Sequence, residues 1–152
     1  MATKEEKDKT IDGKPVIQRR RHNIGTYGPS KLACGSDLHN CKWIILVEGT
    51  ADVRSLSDTG YENTLALNGA SVDPSIKKIC RSKDKVVAFL DGDRSGELIM
   101  KTLKSMVQVD YELRADPDME VEETPPPRIA EILDPIRDKI ENTKNLGNYM
   151  KL

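Results

Sequence analysis

The chain has 152 residues, which suits one domain with a modest core. Apolar residues make up 37%, charged residues 32% and aromatics 4%, so the core must be built mainly from Ile, Leu, Val and Ala. No run approaches 18 apolar residues, which excludes a membrane-spanning helix, and residues 1–9 lack the apolar core of a signal peptide. Three cysteines, Cys34, Cys41 and Cys80, do not make a disulfide framework, and a reducing, cytoplasmic setting is expected. The net charge of −1 is unevenly spread: residues 1–42 carry nine Lys/Arg and five Asp/Glu, 43–106 nine of each, and 107–152 six and eleven. A basic lead and an acidic tail around a neutral centre suit a polyanionic partner, or are two solvated flanks.

In chain order, residues 1–42 show little apolar periodicity and are broken by Gly13, Pro15, Gly25, Gly28, Pro29 and Gly35. A flexible basic arm is expected, with a short hairpin around residues 14–23. Its dense cluster, Arg19, Arg20 and Arg21 beside His22, is suited to tracking a phosphate backbone, or is an ordinary solvated tail. Cys34, His39 and Cys41 have a spacing that matches no strong zinc pattern. Residues 43–47 are a continuous apolar run of strand length, of the kind buried on both faces of a parallel sheet. The run ends at Glu48-Gly49. A helix follows over about 51–59, closed by Gly60, then a short strand over 64–67 ended by Asn68-Gly69. Asp73-Pro74 opens another helix at about residue 74. Residues 86–90 form the third strand, 95–106 a helix, and 109–113 a fourth strand. The prolines up to Pro127 are expected to prevent a helix before Arg128, and Pro135 to kink or split the one that follows. Residues 142–152 read as a frayed tail.

The β-α-β-α-β-α-β-α order predicts an α/β fold of about four mainly parallel strands flanked by helices, over residues 43–141. In such sheets the functional crevice lies beyond the carboxyl ends of the strands. Glu48, Asn68, Asp91 and Asp93 all fall at such ends. Glu48, Asp91 and Asp93 crowded together would repel one another, and a divalent cation removes the penalty. Oxygen-only ligands favour Mg2+, with Mn2+ also possible, over zinc. Such a cation orients and polarises phosphoryl groups, and Glu48 is placed to ligate it or to move a proton. Asp52 is either a supporting acid or a cap on its own helix. Arg94 either holds phosphate or neutralises Asp91 or Asp93.

Several of these stretches together resemble a known family. Val47-Glu48-Gly49, Ala51-Asp52-Val53, Gly60, Asn63, Ala66 and Gly69, followed by Phe89-Leu-Asp-Gly-Asp-Arg-Ser-Gly-Glu-Leu-Ile99, resemble a TOPRIM (Rossmann-like) domain. The nearest likeness is to archaeal DnaG-type primases, whose acidic motif commonly reads FLDGDRGGELI. Ser95 here replaces a usual glycine, and family members are usually several hundred residues long. The resemblance implies Mg2+ held by Glu48, Asp91 and Asp93, with Asp52, Glu120 and Glu122 at secondary acidic positions. It implies RNA primer synthesis from nucleoside triphosphates on a single-stranded DNA template, with replication proteins or exosome subunits as partners. Two alternatives remain open: a metal-dependent TOPRIM nuclease, and a non-catalytic RNA-binding, exosome-associated module.

Overall fold

The structure is a computed structural model that describes residues 10–11, 14–15, 24–69 and 71–150, with side chains over 24–69 and 71–142. Two residue pairs, β1 (Thr10–Ile11) and β2 (Lys14–Pro15), form a minimal antiparallel ladder. Most of the hairpin expected around residues 14–23 lies outside the described residues, as do Arg19, Arg20 and Arg21.

The main sheet has six strands: β3 (Gly25–Tyr27), β4 (Leu32–Cys34), β5 (Trp43–Val47), β6 (Thr64–Ala66), β7 (Lys85–Leu90) and β8 (Tyr111–Arg114). They lie in the order β3-β4-β6-β5-β7-β8. β6, β5, β7 and β8 are mutually parallel, and the β3–β4 hairpin adds antiparallel to the β6 edge. The expected four-stranded parallel unit is therefore present, and residues expected to form a flexible arm extend it by a hairpin. The hairpin escapes periodicity because each of its strands is three residues long, too short to show alternation. It is nonetheless anchored: Leu32, Cys34 and Leu38 are buried.

Among the described residues four helices complete the unit: α1 (Thr50–Asp58), α2 (Ser75–Arg81), α3 (Arg94–Met106) and α4 (Pro126–Met150). Alternate residues of β5 and β7 feed two separate cores. Ile44, Leu46, Val86, Ala88 and Leu90 pack with Ile76, Ile79, Ile99 and Leu103 of α2 and α3. Ile45, Val47, Val87 and Phe89 pack with Val53 and Leu56 of α1 and Ile129 and Leu133 of α4. Each such side chain contributes about 1.5–3 kcal/mol on full burial, and double-sided burial is why these strands are apolar without alternation.

α1 ends as expected, with Gly60 at φ +93°. The Tyr61 N–H donates to Leu56 O at 2.9 Å and the Gly60 N–H to Ser57 O at 3.0 Å, which satisfies the last carbonyls. α4 departs from expectation at two places. It begins at Pro126 rather than at Arg128, because the first-turn N–H groups have no helical partner and proline there loses nothing. It also runs on through Pro135, which sits on the exposed side.

Asn63 joins two parallel strands from within. Its Nδ2 donates to Trp43 O at 3.0 Å, and its own carbonyl accepts the Ile45 N–H at 2.9 Å. Asn63 is buried, so Asn63→Ala strips a buried carbonyl of its donor. A loss of about 1–3 kcal/mol is expected, read as a lower urea midpoint at unchanged slope. An unchanged midpoint would contradict this role.

Candidate functional site

The carboxyl ends of β5 and β7 lie side by side because their register pairs Ile44 with Val86 and Leu46 with Ala88. Glu48 leaves β5 and Asp91 leaves β7 at this edge. Glu48 Oε2 accepts the Asp91 N–H at 2.9 Å, a bond between residues 43 apart. Asp91 Oδ1 accepts the Val121 N–H at 2.8 Å, from a 3-10 turn (Val121–Glu123) that closes over the site. Asp93 is the N-cap of α3, and its Oδ1 accepts the Gly96 N–H at 2.9 Å. Asp52 is buried at 5% exposure, and its Oδ2 accepts the Gly49 N–H at 3.1 Å at the start of α1. It therefore caps its own helix while lying next to the acidic pair.

Proton affinities follow from this crowding. Burial, with repulsion from Asp91, Asp52 and Asp93, pushes the Glu48 carboxyl up to about 7 against the pull of the Asp91 N–H. Burial and then Asp91 push Asp52 up to about 6. Burial, then Asp93, raises Asp91 as well, opposed by the Val121 N–H. Glu120 is raised mainly by Glu123 and then by Asp91. Glu122 lies near enough to add to the repulsion on Asp52.

Glu48, Asp52 and Asp91 are thus brought together, with Glu120 and Glu122 at the periphery. Asp93 is close enough to repel Asp91, yet its carboxylate is turned towards the start of α3. Among the described residues no three His, Cys, Asp or Glu side chains form a ready-made metal cluster. The donor set still fits Mg2+, which takes one or two carboxylates and fills its remaining positions with water and phosphate oxygens. Arg94 neutralises neither aspartate. It is exposed, 3.9 Å from Glu97 across one helical turn.

Sequence reasoning missed two groups. Arg114, at the end of β8, donates from Nε to Asp91 O and from Nη2 to Asp93 O, both at 2.7 Å. It fixes the acidic turn through its backbone. The available signal was a cation ending the parallel strand beside β7. The second group, the Val121 N–H, belongs to the backbone and leaves no residue-type signature.

The raised acids predict a pH dependence. Between about 4 and 7 the folded chain keeps protons on Glu48 and Asp52 that the unfolded chain has released. Their contribution to stability is present below the unfolded values and lost as pH rises through the folded ones. In chelator-treated buffer, Glu48→Gln should therefore gain stability relative to wild type between pH 4.5 and 8. A stability difference that stays constant over this range would refute the shift.

Comparison with known proteins follows the same residues. A family model described as Toprim domain matches residues 43–124. The chain is 41% identical over 130 residues to the DNA primase DnaG of Methanobrevibacter smithii, covering 86% of this chain and 30% of that protein. It is 44% identical over 119 residues to the DNA primase DnaG of Thermofilum pendens, covering 78% and 28%. It is 40% identical over 151 residues to the DNA primase DnaG of Desulfurococcus amylolyticus, covering 95% and 36%. The chain thus spans about a third of the length of these relatives. A DNA primase domain from Pseudomonas aeruginosa shares the fold, with a TM-score of 0.57 at 21% identity over 84% of this chain and 40% of that one. With more than half of its residues matched by the family model, the chain belongs to the Toprim domain family.

Proposed function

We propose that this chain is the catalytic Toprim domain of a DnaG-type primase, carrying out Mg2+-dependent nucleotidyl transfer from nucleoside triphosphates to make short RNA primers on single-stranded DNA during replication. The observation that carries this reading is the acidic pair Glu48 and Asp91, joined through the Asp91 N–H and held in mutual repulsion at adjacent strand ends. A bound Mg2+ would neutralise that repulsion and polarise a phosphoryl oxygen. Mn2+ suits the same oxygens.

The chain's own residues supply the rest. Glu48 and Asp91 each tie one oxygen to a backbone N–H, which fixes the two carboxylates that would hold the cation. Asp93 adds negative charge while fixing the start of α3. Glu48 is placed to ligate the cation or to move a proton at the same strand end. Arg94 stands exposed at the helix start for a phosphate, and Asp52, Glu120 and Glu122 set the surrounding field. Arg19, Arg20 and Arg21 are assigned to the nucleic acid backbone, on charge alone. Among the described residues no helix is long and apolar enough to cross a membrane, and a cytoplasmic location is part of this reading.

The test is a paired assay, with Mg2+ and with chelator, of primer synthesis on single-stranded DNA and of cleavage of structured RNA and DNA. Primer formation by wild type, lost in Asp91→Ala, supports the proposal. Cleavage without synthesis, lost in the same variant, replaces it with a Toprim nuclease. RNA binding that survives Asp91→Ala, with neither activity, replaces it with a non-catalytic module of the exosome-associated kind.

A further inference from the structure

The opposite end of the sheet carries charge of the other sign. Five of the nine Lys/Arg between residues 43 and 106 fall in residues 77–85, where Asp84 is the single acid. This stretch runs from α2 into the first residue of β7. It therefore lies at the amino ends of the parallel strands, away from Glu48 and Asp91. A hollow of about 450 Å3 is lined there by Lys77, Arg81, Lys83 and Lys85, against the end of α3 at Met106 and Val107.

These cations are not equivalent. Lys83 is a structural tie: its ammonium donates to the carbonyls of Leu38 and Cys41, the latter at 2.6 Å. Lys77, Arg81 and Lys85 form no ion pair with a carboxylate among the described residues. Both acids at the hollow are engaged: Asp84 has a partner, and Asp110 Oδ2 accepts the Val86 N–H at 2.8 Å. Complementing the C-terminal dipole of α2 accounts for Lys78 and Arg81. It does not account for Lys85, which is on a strand, or for Lys77, which is in the first half of the helix.

We propose that this hollow is a second, non-catalytic site that holds the sugar-phosphate backbone of single-stranded nucleic acid through Lys77, Arg81 and Lys85. Strand β7 separates Lys85 from Asp91 by about 20 Å, at roughly 3.3 Å per residue. Phosphates held in the hollow are therefore retained away from the acidic site, as a tether for template or product. The site shares with the proposed function the class of ligand and nothing of the chemistry, so it stands or falls without metal.

The experiment is fluorescence anisotropy of the full chain with a labelled 16-nucleotide single strand, in chelator, over a salt series. Three released phosphate counterions on a single strand correspond to a salt slope of about 2. The triple variant Lys77→Gln/Arg81→Gln/Lys85→Gln should bind at least tenfold more weakly and with a slope lower by about 2. The charge-keeping variant Lys77→Arg/Arg81→Lys/Lys85→Arg and the site variant Asp91→Asn should bind like wild type, which separates this site from the acidic one. Urea midpoints equal to wild type establish that the variants are folded. The proposal is overturned if wild type does not bind, if the triple variant keeps affinity and slope, or if binding depends on Arg19, Arg20 and Arg21 alone. It is equally overturned if an acidic peptide binds the hollow and the oligonucleotide does not.

Discussion

Asp91→Ala is expected to make no primer and to lose its response to Mg2+ while remaining folded. The carboxylate does two things. Its Oδ1 accepts the Val121 N–H at 2.8 Å, and its charge helps to build the repulsive pair with Glu48 that a cation would relieve. Removing an electrostatic partner from a reaction centre typically lowers turnover by about 100- to 1,000-fold, so a loss of at least about 100-fold is expected. The structural effect is smaller. An orphaned Val121 N–H costs about 1–3 kcal/mol, partly offset by the relief of Glu48. Asp91→Asn separates the two effects, since the amide oxygen still accepts the Val121 N–H while the charge is gone. The asparagine variant should match the alanine variant in activity and equal or exceed wild type in stability, because it keeps the Val121 bond and relieves Glu48. Thermal unfolding gives a readout independent of turnover. A cation at a hundred times its dissociation constant stabilises the folded chain by about 2.7 kcal/mol, and this increment should disappear in both variants. Primer synthesis by either variant at more than about a hundredth of the wild-type rate, or an undiminished Mg2+ shift, would remove Asp91 from the metal site.

Gly92→Ala should be the most destabilising single methyl addition in the acidic turn. A Cβ at Gly92 would lie 2.1 Å from Asp116 O and 2.5 Å from Ala115 O. Both are backbone atoms, so no rotamer change relieves the clash. The same glycine donates its N–H to Met119 O at 2.8 Å and accepts the Asp118 N–H at 2.9 Å. The added methyl must therefore push the segment over residues 115–119 off the turn and break its hydrogen bonds. Overpacking usually costs about 1–3 kcal/mol, and an unyielding backbone contact puts this substitution at or above about 3 kcal/mol. Because that segment leads into Val121, Mg2+ response should fall together with stability. A loss below about 1 kcal/mol in urea unfolding would show that the segment moves freely.

The parallel sheet was legible because β5 and β7 are apolar on both faces. Their alternate residues reach two different helix layers, which leaves runs such as Trp43-Ile-Ile-Leu-Val47 with little other use. The β3–β4 hairpin was not legible, since three-residue strands at a sheet edge carry no period. The start of α4 at Pro126 shows the limit of treating proline as a breaker, because its effect depends on position within the helix. At the site, Glu48, Asp91 and Asp93 could be picked out by their place at strand ends. The capping of α3 by Asp93 follows from an aspartate placed just before a helical pattern. Arg114 and Val121 act through backbone carbonyls and an N–H across 20 to 30 residues of chain, which no local pattern encodes.

The hydrogen bond from the Asp91 N–H to Glu48 makes the sheet a ruler for the acidic pair. With Leu46 paired to Ala88, the two strands end level to within a residue. A slip of one residue would turn every β7 side chain to the opposite face. A slip of two would preserve the faces and displace Asp91 by about 7 Å, beyond any shared cation. Leu46, Ala88 and Phe89 are fully buried in the core, yet by locking the alignment they decide whether the carboxylates meet. On the proposed function, tolerance of substitution in this core is bounded by the alignment of Glu48 with Asp91 as well as by stability.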